Sequence, residues 1–292
     1  MTNYNTHNTP GNPPEFFPKA NIAWKKSREE IWNDLSSKLG SENKPSSGRI
    51  VTRWNYIAAA AIIIVLIAVP TAMRLYTVNL TSPPGKHLSV SLPDGSTVVL
   101  NAATHLSYHK YWWAFSRKVQ LEGEAYFTVK KGKSFEVVSP LGKVSVLGTS
   151  FNIYARKLDY NVACFTGKVR VVPRVEEKSP LQHQEVNLEP NDMATLTGGG
   201  SLIVERGQSI QHIKAWTKNE FNFTAAPITR VMEEIGLQYG ILIKFQGNLN
   251  YLYTGNFARD SSVENVLNLV CRPFDMKYLV DKNGQYLITE NN

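Results

Sequence analysis

The sequence predicts a single-span membrane protein whose exported part holds an all-β domain, of sandwich, roll or short β-solenoid type, followed by a small α+β domain. Three observations carry this. An uncharged run of 20 residues, Trp54 to Met73, has the length of a bilayer-crossing helix, about 30 Å at 1.5 Å per residue. Residues 86–205 break into short Val-, Phe- and Tyr-rich stretches separated by turn residues every ~8–12 positions. Beyond residue 213, helical periodicity returns between strand-like stretches. Composition agrees. Apolar residues make up 42% of the 292, enough for packed cores, and charged residues only 19%, below the ~25% of average soluble domains. Cys164 and Cys271 are too few and too far apart for a disulfide scaffold or a multi-cysteine zinc site.

The chain begins with a 53-residue arm. Its first 21 residues are rich in Asn, Thr and Pro and predict no fold. A helix of about 12 residues follows. Ser27 and Glu30 have capping-box spacing, Glu29 and Glu30 lie in the first turn, Lys38 in the last, and Gly40 offers a left-handed stop. Ile31, Trp32, Leu35 and Leu39 share one side of it, with Trp24 just ahead. So short a helix is marginal alone. Its apolar face either lies on the bilayer beside Trp24 and Trp32 or docks in a groove of a cytoplasmic partner, and physics leaves both open. Ser41 to Gly48 form a tether, and the Ser41-x-x-Lys44 spacing within it lacks the companion motifs of a penicillin-binding site.

The span, residues 54–73, is bracketed by Arg53 and Arg74, with Trp54 and Tyr56 at one edge and Tyr76 past the other. The 20 residues before it carry four Lys/Arg and the 20 after it two, which keeps the arm in the cytoplasm and exports the remainder. Pro70 weakens the helix late in the span. Residues 74–85, with Pro83-Pro84-Gly85, look like a linker.

In the all-β domain, Leu88, Val90 and Leu92 alternate with serines before a Pro93-Asp94-Gly95-Ser96 turn, and Thr97 to Leu100 starts the next strand. Further breaks are expected at Gly123-Glu124, Lys131-Gly132, Pro140 to Gly142, Gly148-Thr149, Leu158-Asp159, Thr166-Gly167 and Glu189 to Asp192. His105 and His109 have the spacing of helical metal ligands but lie in strand-like surroundings without a third ligand, which points to surface histidines. No phosphate-binding Gly-rich loop or HExxH is present, and Gly198 to Gly200 marks a tight turn or linker.

The last domain, residues 213–290, predicts β-α-β followed by β-α-β-β. Its strands are Phe221 to Phe223, Ile241 to Phe245 and Leu252 to Phe257, with a closing hairpin of Met276 to Val280 and Gln285 to Thr289 over Asp281-Lys282-Asn283-Gly284. Its helices begin after Ala226-Pro227, ending at Gly240, and after Ser261 or Ser262.

LPDGSTVVLNAATHLSY (Leu92 to Tyr108), RKVQLEGEAYFTV (Arg117 to Val129), VLGTSFNIYA (Val146 to Ala155) and FTGKVRV (Phe165 to Val171), in this order, resemble the FecR family of transmembrane anti-sigma regulators. The last domain is similar to the small signalling domain of secretins and TonB-linked receptors, and to the C-terminal domain of Bacteroidetes-type FecR proteins. The resemblance implies no catalytic role, cofactor, metal or direct nucleic-acid contact. It implies an extracytoplasmic-function sigma factor held on the inner-membrane side by Trp24, Ile31, Trp32, Leu35 and Leu39. It also implies a TonB-dependent outer-membrane receptor touching the periplasmic domains through its signalling domain, and membrane proteases that release the sigma factor. Some relatives self-cleave at a Gly-Thr bond, which falls here at Gly148-Thr149; an ordinary turn accounts for the same residues. This arm has a single convincing helix where longer members have several, which leaves inhibition and activation both open. A membrane-tethered envelope-binding module with no sigma factor is the alternative.

Overall fold

A computed structural model of the chain describes residues 25–40, 53–174, 184–247, 250–259, 262–282 and 284–290. The chain forms two compact units, residues 1–60 and 61–292.

Helix α1 spans Arg28–Leu39. Its capping box is formed: the Glu30 amide donates to Ser27 Oγ at 3.2 Å and the Ser27 amide donates to Glu30 Oε2 at 3.0 Å. Its end differs from expectation. Gly40 stays right-handed at φ −76°, and its N–H closes one more helical turn onto the Ser36 carbonyl at 2.7 Å. Glycine permits a left-handed stop but does not impose one. None of the residues of α1 is buried.

Helix α2 spans Arg53–Leu75. It is long and apolar enough to cross a membrane, with mean hydropathy 2.4 and none of that window buried. Pro70 offers no N–H to the preceding turn, yet the helix continues, and the Thr71 hydroxyl donates to the Ile67 carbonyl at 2.7 Å.

Thirteen strands follow: β1 Val78–Ser82, β2 Leu88–Ser91, β3 Thr97–Leu100, β4 Thr104–Tyr108, β5 Arg117–Thr128, β6 Phe135–Val138, β7 Gly142–Val146, β8 Ser150–Arg156, β9 Asp159–Thr166, β10 Val169–Pro173, β11 Val186–Leu188, β12 Asp192–Leu196 and β13 Leu202–Glu205. They form two faces that share β5. One runs β1-β4-β5-β6-β7-β10-β11 and the other β2-β3-β5-β8-β9-β12-β13. All pairs are antiparallel except β5 with β6. The first half of β5 pairs β4 from Tyr108↔Val119 to His105↔Glu122, and the second half pairs β8 from Gly123↔Ala155 to Thr128↔Ser150. The changeover falls at Gly123, whose φ of +119° suits glycine and whose missing side chain leaves room for Thr104. One core lies between the faces, with Leu100, Leu106, Phe127, Phe135, Phe151, Ile153 and Tyr160 fully buried. This is a sandwich-type arrangement and excludes the β-solenoid.

Two boundaries are corrected. Residues 78–82, expected within a linker, form β1 and pair with β4 along their whole length. Val78 and Leu80 pack on the core and Ser82 is buried, an alternation too short to stand out before Pro83-Pro84-Gly85. Gly123-Glu124 is a corner inside β5 and not a break.

The last domain has β14 Glu220–Pro227, α3 Ile228–Tyr239, β15 Ile243–Gln246, β16 Leu252–Ala258, α4 Val263–Cys271, β17 Met276–Val280 and β18 Tyr286–Glu290, the order expected from sequence. β14 pairs with β16, and β18 lies between a parallel β15 and an antiparallel β17. Gly240, at φ +70°, stops α3. Ile228, Val231, Met232 and Ile235 of α3 meet Val266, Leu267 and Val270 of α4 and Ile288 of β18 in a second core. Cys164 and Cys271 are free and buried.

Candidate functional site

α1 holds four of the five residues expected to contact a sigma factor. Ile31, Trp32, Leu35 and Leu39 fall within about 100° of arc on a helix turning 100° per residue. They are 40%, 69%, 50% and 70% exposed, so among the described residues nothing covers this apolar stripe. Trp24 lies outside the described residues, as do Ser41 and Lys44.

The Gly148-Thr149 bond joins β7 to β8 in a crowded turn. The Thr149 hydroxyl donates to the Lys168 carbonyl at 3.1 Å, and its own carbonyl accepts from Val129 N–H at 3.0 Å. A side chain at Gly148 would run into the Lys131 backbone, so glycine is needed there for packing. His105 and His109 bond Thr81 at 2.9 Å and Thr77 at 3.1 Å, and among the described residues no cluster of His, Cys, Asp or Glu could hold a metal.

The structure adds a site that the sequence did not announce, where the two exported domains meet. Glu124, just past the β5 corner, is buried. Asn101 Nδ2 donates to its Oε2 at 2.7 Å, and Asn152 Nδ2, from β8, donates to its Oε1 at 2.9 Å. From α3 of the other domain, Gln238 Nε2 donates to Asn101 Oδ1 at 2.6 Å and to Glu234 Oε1 at 2.8 Å. Gln238 Oε1 in turn lies 2.9 Å from His87 Nε2, and the His87 ring meets Trp216 edge-on at 5.3 Å. The expected linker supplies a second clamp. Gly85 N–H donates to the Leu237 carbonyl at 2.8 Å, and Arg259 Nη2 donates to the Gly85 carbonyl at 3.1 Å.

The electrostatics follow from burial. Removal from water pushes the Glu124 carboxyl from 4.5 up to about 7, and the nearby Glu234 pushes the same way. The two asparagine amides and Arg156 oppose this. Tyr154, half-buried here, has its phenol raised chiefly by removal from water, with Arg230 5.0 Å over its ring. A cleft of about 380 Å³ opens beside this cluster, lined by Glu124, Tyr154, Trp216, Arg230 and Glu234. The arrangement pairs no nucleophile with a base. Chemically it is a proton-sensitive contact between two domains. Sequence alternation along β5 places Glu124 on the outward side, out of phase with Val119, Leu121, Ala125 and Phe127, so its burial carries no local signal.

Residues 78–170 match the family model described as FecR protein, and residues 220–288 match the one described as FecR, C-terminal. Two crystal structures of a candidate anti-sigma factor from Parabacteroides distasonis, at 2.50 Å and 1.65 Å resolution, share the fold with TM-scores of 0.66 and 0.65. Each is 26% identical, and the match covers 74% of this chain and 100% of the other. No curated protein matches the chain.

Proposed function

The chain belongs to the FecR family, and on that premise we propose that it is a membrane-anchored anti-sigma regulator, with α1 as its cytoplasmic grip and the two exported domains as its sensor. In this reading α2 crosses the inner membrane once, N-terminus in. Ile31, Trp32, Leu35 and Leu39, with Trp24, bind an extracytoplasmic-function sigma factor. The periplasmic domains meet the signalling domain of a TonB-dependent outer-membrane receptor, and membrane proteases complete the release. The observation that carries the reading is the uncovered apolar stripe of α1, placed ahead of an apolar helix in a chain whose remainder matches a solved anti-sigma candidate. A capped helix with four exposed apolar side chains on one side has the form of a helix-in-groove ligand.

The test is co-purification of a sigma factor with the full-length, detergent-solubilised chain, identified by mass spectrometry. Trp32→Ala with Leu35→Ala is expected to abolish it while leaving the chain in the membrane fraction. Retention undiminished in that variant, or no sigma factor with either form, overturns the reading.

A further inference from the structure

The loop between β4 and β5, residues 109–116, folds against the end of α2. The Arg74 guanidinium lies 5.9 Å over the Trp112 ring, the Tyr76 ring is 4.9 Å from Tyr111, and the Thr77 hydroxyl is 3.1 Å from His109 Nδ1. The loop is anchored. Trp113 is buried against Tyr108 at 5.3 Å and Phe135 at 5.8 Å, and the Phe115 and Ser116 amides donate to the Trp112 carbonyl at 3.0 Å and 3.1 Å. Yet the same loop leaves Phe115 70% and Tyr111 50% exposed, with Trp112 half-buried against Phe115 at 4.7 Å. Lys110 is exposed within the loop, and the Lys133 ammonium lies 3.5 Å from the Ala114 carbonyl.

Two large apolar rings held out into water by a rigid loop cost free energy unless something apolar receives them. What receives them is indicated by the loop's neighbour. α2 carries its apolar run to Met73 and ends at Leu75, so Arg74 and Tyr76 mark the level at which hydrocarbon gives way to headgroups. Tyr111 and Trp112 touch those two residues. Aromatic rings flanked by lysines, at the depth where a spanning helix emerges, have the chemistry of a bilayer interface.

We propose that residues 109–116 form a membrane seat, in which Tyr111, Trp112 and Phe115 enter the headgroup layer around the end of α2 while Lys110 and Lys133 face lipid phosphates. The seat rests on the reading of α2 as a spanning helix. It sets the β domain directly on the membrane in a fixed orientation.

The full-length chain is reconstituted into vesicles of phosphatidylcholine and phosphatidylglycerol and spin-labelled at one introduced cysteine at a time: Phe115→Cys, Ile64→Cys in α2, or Leu158→Cys, which is 84% exposed in the β8–β9 hairpin. The native cysteines are buried and do not compete for label. Accessibility to oxygen, which partitions into lipid, is compared with that to a water-soluble nickel chelate. The oxygen-to-nickel ratio at positions 64 and 115 is expected to exceed that at 158 several-fold. A low ratio at 115 with a high one at 64 overturns the seat and leaves α2 in the membrane. Exclusion of both reagents at 115 overturns it in favour of a contact with a second copy. A low ratio at 64 removes the span and the seat together.

Discussion

Replacing Glu124 by glutamine should change how the stability of the exported domains depends on pH. In the native chain the folded carboxyl titrates near 7 and the unfolded one near 4.5, because burial disfavours its charge. Between those values the folded state keeps a proton that the unfolded state has released. Stability is therefore fully present below pH 4.5, falls as pH rises, and is lost by pH 7. At about 1.4 kcal/mol per pH unit this amounts to roughly 3 kcal/mol. For a unit of this size that is a fall of roughly 6 to 12 °C in Tm. The introduced glutamine carries no charge and has a place to bond. Asn152 Oδ1 has no hydrogen-bond partner, so a turn of the Asn152 amide lets that oxygen accept from the new NH₂. The assay is thermal unfolding of the full chain in detergent, followed by near-UV circular dichroism from pH 5 to 8, for the native and Glu124→Gln forms side by side. The native Tm should fall across the range by several degrees more than that of the variant. Parallel curves would refute the assignment of a raised carboxyl at the domain contact.

Gly123→Ala should destabilise the β domain by about 3 kcal/mol, because it places a side chain at φ +119° against Thr104; a denaturant midpoint unchanged from the native one contradicts the corner at β5. The Gly148-Thr149 bond should stay intact in the purified folded chain, since the attacking hydroxyl is held by the Lys168 carbonyl; a fragment beginning at Thr149 in mass spectra of fresh preparations would show otherwise. Cys164 and Cys271, both buried with thiols pushed up to about 11, should resist maleimide labelling at pH 8 until denaturant is added, and rapid labelling of either in the native chain would contradict their burial.

What was legible in the sequence was local. The capping box at Ser27 and Glu30, the apolar run of α2, the α3 stop at Gly240 and the final hairpin over Asp281 to Gly284 depend on neighbours a few residues apart, and each is found in the structure. The errors came where tertiary contacts decide. Gly123 beside Glu124 looks like a turn, because glycine and an exposed acid usually are one. Here the glycine turns β5 from one face to the other and the acid is buried. The buried Glu124 is bonded by Asn101 and Asn152, and Asn101 in turn by Gln238 from another domain, and no local pattern announces such partners. The partner of α1 is equally beyond local reading: its stripe is legible, but nothing in 12 residues says what covers it.

The presence of β1 alters how a signal could reach the membrane. A flexible connection over residues 74–85 would have a root-mean-square span of about 20 Å, enough to absorb displacement of the exported domains. The structure leaves only Tyr76 and Thr77 between α2 and β1, a reach of about 7 Å at full extension. Both are braced by the β4–β5 loop, through Tyr111 and His109. β1 pairs with β4, β4 with β5, and β5 carries Glu124 into the contact with α3. The part of residues 74–85 that remains irregular, together with Lys86 and His87, is clamped on Leu237, Arg259 and Gln238. In the proposed regulator, a receptor that displaces the last domain therefore acts on a stiff body joined to α2 by two residues. Loss of the Glu124 contact exposes a carboxyl that ionises in water, which makes the separated state self-consistent at neutral pH.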